Sequence, residues 1–202
     1  MKICTGCLTE RGNYRKKNQD SAVCCVKREG KELLAVACVC DGIGSLAQSE
    51  IASSMITEGI SRWFSGVSIL FPKVMNKDVL VDDLEMTLRE LNELIIYYQK
   101  ESGNLIGCTM SLLLIAGYYY YVFHVGDSRI YRVGEKVQQL TSDEVTLIEE
   151  NGRLKTLLAN YFGKSEDLQL NRIDGELQKK TCFLLGTDGL FKKLPKEELG
   201  IK

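Results

Sequence analysis

The chain has 202 residues, 45% hydrophobic and 26% charged, with 26 Lys plus Arg against 27 Asp plus Glu. That length and apolar share suit a sizeable core, and the balanced charge offers no basic excess for nucleic acid and no acidic tail. No apolar run approaches the roughly 20 residues of a membrane span, and MKICTGCLTERG lacks the apolar segment of a signal peptide, so the sequence reads as soluble and cytoplasmic.

Lys2 to Thr9 alternates weakly and reads as a first strand, followed by the polar loop ERGNYRKKNQD from Glu10 to Asp20. Ser21 to Arg28 and Glu32 to Cys40 read as a hairpin turning at Glu29-Gly30-Lys31. The second of these strands is a short continuous apolar run, as expected when both faces are buried, and it ends abruptly in Asp41-Gly42. Cys182-Phe-Leu-Leu-Gly-Thr-Asp188-Gly189 repeats that pattern as a twin buried strand. From Leu46 to Phe64 the spacing turns helical, with Ile51, Ala52, Met55, Ile56, Ile60 and Phe64 on one face. Ser65 to Lys77, with Pro72, reads as irregular. Asp82-Asp83 opens a second helical pattern with Leu84, Leu88, Leu91, Leu94, Ile95 and Tyr98, ending near Ser102-Gly103-Asn104. Cys108 to Thr141 reads as a four-stranded meander, Ser142 to Ala159 as helical in part, and Asp167 to Ile173 as a strand. Asp174 to Lys180 reads as a polar turn and Leu194 to Glu198 as the start of a short helix. Strands, two long helices and then a run of strands indicate an α+β fold with antiparallel sheets.

The eight cysteines are scattered, with Cys24 and Cys25 adjacent and Cys38 and Cys40 inside the focal strand, which does not resemble a disulfide framework. Cys4-x-x-Cys7 is half of a zinc signature without a well-spaced second half, so the cysteines read as reduced small hydrophobes. His124, the one histidine, lies in an apolar strand and reads as a packed side chain rather than a triad base or zinc ligand. No cysteine is followed by the arginine of a cysteine-nucleophile phosphatase loop. Gly163-Lys164-Ser165 lacks the first glycine of a phosphate-binding loop. Gly42-x-Gly44-x-x-Ala47 mimics a dinucleotide fingerprint, but Asp41 would set a carboxylate beside the pyrophosphate and no prompt return strand follows.

Oxygen-ligand metal chemistry remains. Asp20, Asp41, Asp127 and Asp188 each fall in a loop or at a strand end, and hard cations such as Mg²⁺ and Mn²⁺ take carboxylates, carbonyls and water. An arginine nearby clamps a phosphate through two parallel hydrogen bonds; Arg15, five residues before Asp20, is the candidate. A single Asp-Gly is ordinarily a turn; two of them closing two apolar strands point to one shared site.

These residues fall into an ordered set. Arg15-Lys-Lys-Asn18-Gln19-Asp20, Asp41-Gly-Ile-Gly-Ser-Leu-Ala-Gln-Ser-Glu50-Ile-Ala-Ser53, Gly107-Cys-Thr109, Val125-Gly126-Asp127-Ser128-Arg129-Ile-Tyr131, Leu140-Thr141-Ser-Asp143 and Leu185-Gly-Thr-Asp188-Gly189-Leu190 run in that order over nearly the whole chain. Together they resemble the PPM-type (type 2C) metal-dependent Ser/Thr protein phosphatases in their compact bacterial form. The resemblance implies one domain over residues 1–202, a four-layer αββα sandwich of two antiparallel sheets, shortened at its C-terminal end. It implies hydrolysis of phosphoserine and phosphothreonine in phosphoprotein substrates, in opposition to a Ser/Thr kinase, with two Mn²⁺ or Mg²⁺ ions. By motif position Asp41 would bridge both ions, the Gly42 carbonyl would bind one and Asp188 the other. Asp20 would hold water beside them, Arg15 would hold the phosphate, and Asp127 would lie where a third ion sits in some members.

Departures from the pattern are Gln19, Ile43, Ser45, Ser49 and Glu144. Lys192 stands where some members carry a third-metal carboxylate, so two ions are expected rather than three. The family closes with a further helix and an Asp-Asn strand, and this sequence ends at Lys202, about one helix and one strand earlier. The sheet edge so exposed is expected to be covered by a partner or a second copy. The alternative reading is a non-catalytic module of the same type that binds phosphoproteins or regulates.

Overall fold

The computed structural model describes residues 3–13, 15–46, 48–70, 76–150, 152–178, 180–192 and 194. Strands β1 (Ser21–Glu29) and β2 (Glu32–Cys40) pair antiparallel, with Gly30 at φ +61° in the turn between them, a left-handed conformation that glycine adopts without steric cost. Helices α1 (Ser49–Leu70) and α2 (Lys77–Ser102) follow. Strands β3 (Met110–Ala116) and β4 (Tyr119–Val125) form the next hairpin and extend the sheet from β2. With β9 (Asn171–Glu176) they complete a five-stranded antiparallel sheet in the order β1-β2-β3-β4-β9. A second sheet holds β5 (Arg129–Val133) between β10 (Cys182–Gly186) and β6 (Val137–Gln139). Strands β7 (Val145–Glu150) and β8 (Arg153–Leu158) form a separate two-stranded hairpin, and α3 (Asp188–Phe191) is a single turn after β10.

The period-2 geometry of strands assigns the two faces of the large sheet. Leu34, Val36, Cys38 and Cys40 of β2, with Leu112, Leu114 and Phe123, meet Ala52, Ile56 and Ile60 of α1 and Leu84, Leu88 and Ile95 of α2 in the main core. On the opposite face Leu113, Tyr120 and Val122 meet Ile130, Phe183 and Leu185 of the second sheet. The result is an α+β sandwich in which the helices cover one face of the large sheet and the small sheet packs on the other. Phe191 of α3 packs against Tyr131 of β5, with ring centroids 5.0 Å apart. No helix among them is long and apolar enough to cross a membrane.

Several local expectations change. Residues 3–9 are coil, because alternation makes a strand only where a neighbour supplies a ladder, and among the described residues none pairs with it. Lys2 itself lies outside the described residues. Helix α1 starts at Ser49 and continues through residues 65–70, while Pro72 lies outside the described residues. Helix α2 begins at Lys77, five residues before Asp82, because the Asn76 side chain accepts the Asp78 N–H at 3.1 Å and caps it. Leu94 is exposed.

The meander is split: the chain leaves the large sheet at Gly126 and enters the small one at Arg129. The partly helical stretch is the β7–β8 hairpin, turning with Gly152 at φ +73°. Its apolar residues are spaced loosely enough to mimic a helix, and the turn glycine was the overlooked signal. Strand β9 runs to Glu176, into the expected turn. Strand β10 is not a buried twin of β2. It pairs with β5 alone among the described residues, Cys182 is exposed, and Phe183 to Leu185 are half-buried. Residues 195–198 lie outside the described residues.

Candidate active site

Strands β2 and β10 sit in different sheets and bring their terminal Asp-Gly pairs to one cleft at the end of the sandwich. The cleft has a volume of about 1090 Å³ and is lined by Arg15, Asp20, Asp41, Gly42, Asp127 and Asp188, so all six sequence-predicted residues meet there. Residues 6–12 form one wall and residues 184–190 another.

The first loop is held by its backbone. The Gln19 carbonyl accepts from the Gly42 N–H at 3.1 Å and from the buried Ser53 hydroxyl of α1 at 2.6 Å. The Asn18 side chain accepts the Asp20 N–H at 3.1 Å, a local turn that asparagine favours. A Cβ on Gly42 would stand 2.5 Å from the Gln19 carbonyl oxygen, so only glycine lets the strand end and the loop approach this closely. A Cβ on Gly44 would meet Arg15 Nη2 at 2.5 Å, which places the Arg15 guanidinium against the loop after β2. These contacts account for the two glycines without a dinucleotide; Ala47 lies outside the described residues.

Asp41 is fixed from below. Its N–H donates to Thr109 Oγ1 at 3.1 Å, and its carbonyl accepts the Thr109 N–H at 2.9 Å. The Thr109 hydroxyl lies 2.7 Å from that of buried Ser128, and the Ser128 carbonyl accepts from Ser111 Oγ at 2.8 Å. Gly126, at φ +102° and packed against Thr109, turns the chain so that Asp127 enters the cleft. Arg129 grips Asp143 through two hydrogen bonds of 2.9 and 2.6 Å, which raise the guanidinium pKa and tie this loop to the next.

Charge defines the chemistry. Burial, then the charges of Asp20 and Asp188, push the Asp41 carboxyl up to about 9. Burial also raises Asp20, against the hydrogen bonds that Thr187 and Asp41 give it, and raises Asp127, with Asp188 adding to the effect. Carboxylates crowded with other carboxylates hold protons until a cation replaces them. The donor set is entirely oxygen, which fits hard divalent cations. Among the described residues no three His, Cys, Asp or Glu side chains converge into a ready-made cage.

Three contacts at the site have no counterpart in the sequence reading. Thr187 Oγ1 donates to Asp20 Oδ2 at 2.9 Å. Lys192 pairs with Asp188. Glu144, read only as a departure from a motif, accepts from Gly126 N at 2.7 Å, from Asn171 Nδ2 at 2.6 Å and from Asn160 Nδ2 at 3.1 Å. Thr187 and Lys192 flank Asp188 and could have been suspected from that alone; the Glu144 clamp has no local signature. His124 is a packed residue, with Nδ1 3.0 Å from Ser111 Oγ, Nε2 3.0 Å from the Ser142 carbonyl, and its pKa lowered by burial. Of the cysteines, Cys38, Cys40 and Cys108 are buried as expected and half-buried Cys25 packs against the main core, whereas Cys24 is half-buried and Cys4, Cys7 and Cys182 are exposed.

An α+β sandwich of two antiparallel sheets, with an aspartate-lined cleft where their strands end, defines the class of protein. The chain belongs to the protein phosphatase 2C family, whose model matches residues 13–200. It is 23% identical over 206 residues to the serine/threonine phosphatase Stp of Listeria monocytogenes serotype 4b, covering 95% of this chain and 79% of that protein. It is 27% identical over 206 residues to the protein phosphatase PhpP of Streptococcus pneumoniae serotype 2, covering 95% and 80%. The fold superposes on the crystal structure of the serine/threonine phosphatase Stp1 from Staphylococcus aureus with a TM-score of 0.78 at 20% identity, covering 96% of this chain and 79% of that one.

Proposed function

We propose that the chain is a metal-dependent protein phosphatase that hydrolyses phosphoserine and phosphothreonine. The observation that carries this is the convergence of Asp20, Asp41, Asp127 and Asp188 with Arg15 on one cleft, in a chain of this family. Asp41, the Gly42 carbonyl and Asp188 are the residues to hold two Mn²⁺ or Mg²⁺ ions across the seam between the sheets. When bound, such ions polarise phosphoryl oxygens and make hydroxide available at neutral pH. Arg15 binds two phosphoryl oxygens through its planar fork and sets the phosphorus in line for attack. Asp20, oriented by Thr187, accepts a proton from the attacking water and holds it in place.

With Mn²⁺ the purified protein is expected to hydrolyse an aryl phosphate and phosphothreonine peptides, and Asp41→Ala to abolish both. Equal activity in Asp41→Ala, or full activity in chelator, overturns this mechanism. Absence of Mn²⁺ binding in calorimetry selects the non-catalytic module instead.

A further inference from the structure

Asp188 and Lys192 are joined twice. The Lys192 N–H donates to the Asp188 carbonyl at 2.9 Å, closing the single turn of α3, and Lys192 Nζ pairs with Asp188 Oδ2. Four cationic side chains line the cleft: Arg11, Arg15, Lys17 and Lys192. Lys17 pairs with Glu50 at 3.0 Å, and Arg11 donates to the Lys16 carbonyl at 3.2 Å. Among the described residues Lys192 is the cation that forms an ion pair with one of the four aspartates. Its side chain is 71% exposed and that of Asp188 39%, so solvent screens the pair and the ammonium can leave it for water.

We propose that Lys192 is a tethered counter-ion of the aspartate cluster, whose ammonium competes with an incoming divalent cation for Asp188 and so sets how tightly that side of the cleft binds metal. The proposal rests on the metal-dependent reading above and deepens it. An ammonium and a divalent cation repel each other at the distance that one carboxylate imposes. Metal binding therefore requires Lys192 to swing outward on its flexible stem. Turning an exposed ion pair into a competition lowers affinity by up to about fivefold. Asp188 thus keeps a countercharge without metal, and the threshold for loading rises.

The test is calorimetric titration of the full chain with Mn²⁺ at low ionic strength, comparing the wild type with Lys192→Gln and Lys192→Arg. Lys192→Gln is expected to bind Mn²⁺ about two- to fivefold more tightly, Lys192→Arg to stay near the wild type, and the difference to narrow at high salt as screening weakens the pair. Thermal melting of each variant without metal checks that all three are folded. Equal affinities in the wild type and Lys192→Gln overturn the role of Lys192 and leave the metal-dependent reading standing, with Lys192 an ordinary surface pair one helical turn from Asp188. Absence of Mn²⁺ binding to every variant overturns that reading and the role of Lys192 with it.

Discussion

Thr187 Oγ1 donates to Asp20 Oδ2 at 2.9 Å, joining residues 167 positions apart in the chain. The bond crosses the cleft from the end of β10 to the first loop and holds the Asp20 carboxyl toward the other aspartates. It also opposes the rise that burial imposes on the Asp20 pKa. Thr187→Val keeps the side chain's shape and removes the donor. The expected result is a loss of about 1–3 kcal/mol in unfolding free energy and a fall in kcat with little change in KM. Urea denaturation and steady-state kinetics on a phosphothreonine peptide measure the two effects.

Asp41 gives the metal-free protein an unusual pH dependence. Its folded-state pKa is raised to about 9, while an unfolded aspartate titrates near 3.9. Between those values the folded chain binds the extra proton, so stability is greatest at the acid end of this window and falls as pH rises toward 9. Saturating Mn²⁺ displaces that proton and is expected to flatten the slope and raise Tm. Thermal melts from pH 5 to 9, with chelator and with Mn²⁺, check both. Asp41→Asn is expected to flatten the slope in chelator while removing activity.

Gly42 is expected to tolerate no side chain. Gly42→Ala drives a methyl group into the Gln19 carbonyl, and the loop carrying Arg15 and Asp20 must shift to relieve it. A destabilisation of about 1–3 kcal/mol is expected in denaturant unfolding, with a larger proportional loss of kcat/KM.

Glu144 clamps the base of the β7–β8 hairpin through Gly126, Asn160 and Asn171. The hairpin exposes Leu147 at 64% and Leu154 at 76%, and two strands without a packed face are only marginally stable. Glu144→Ala is expected to cost about 2 kcal/mol and to make residues 145–158 the first site of limited proteolysis, read by mass spectrometry of early fragments.

The legible parts of the fold were those with local causes. Strand β2 was readable because burial on both faces demands an unbroken apolar run, and the α1 register because Ala52, Ile56 and Ile60 all face the core. Strand β10 carries a similar run but among the described residues pairs on one side only, and sequence does not distinguish a half-covered strand from a covered one. The start of α2 depended on Asn76, a cap overlooked beside the more conspicuous Asp82-Asp83. At the site, the aspartates were readable because each ends a strand or opens a loop, and their motifs keep a fixed order. The bonds that aim them were not: Thr187 with Asp20, Glu144 with Asn171 and Ser53 with Gln19 join residues far apart in sequence.

The cleft aspartates belong to different sheets. Asp41 follows β2 of the large sheet, and Asp188 follows β10 of the small one. On the metal-dependent reading, a cation held between them would act as a staple across the sandwich, and its loss would remove a crosslink as well as a reactant. Amide exchange along β10, which among the described residues is bonded to β5 alone, would then be a gauge of metal occupancy that needs no substrate.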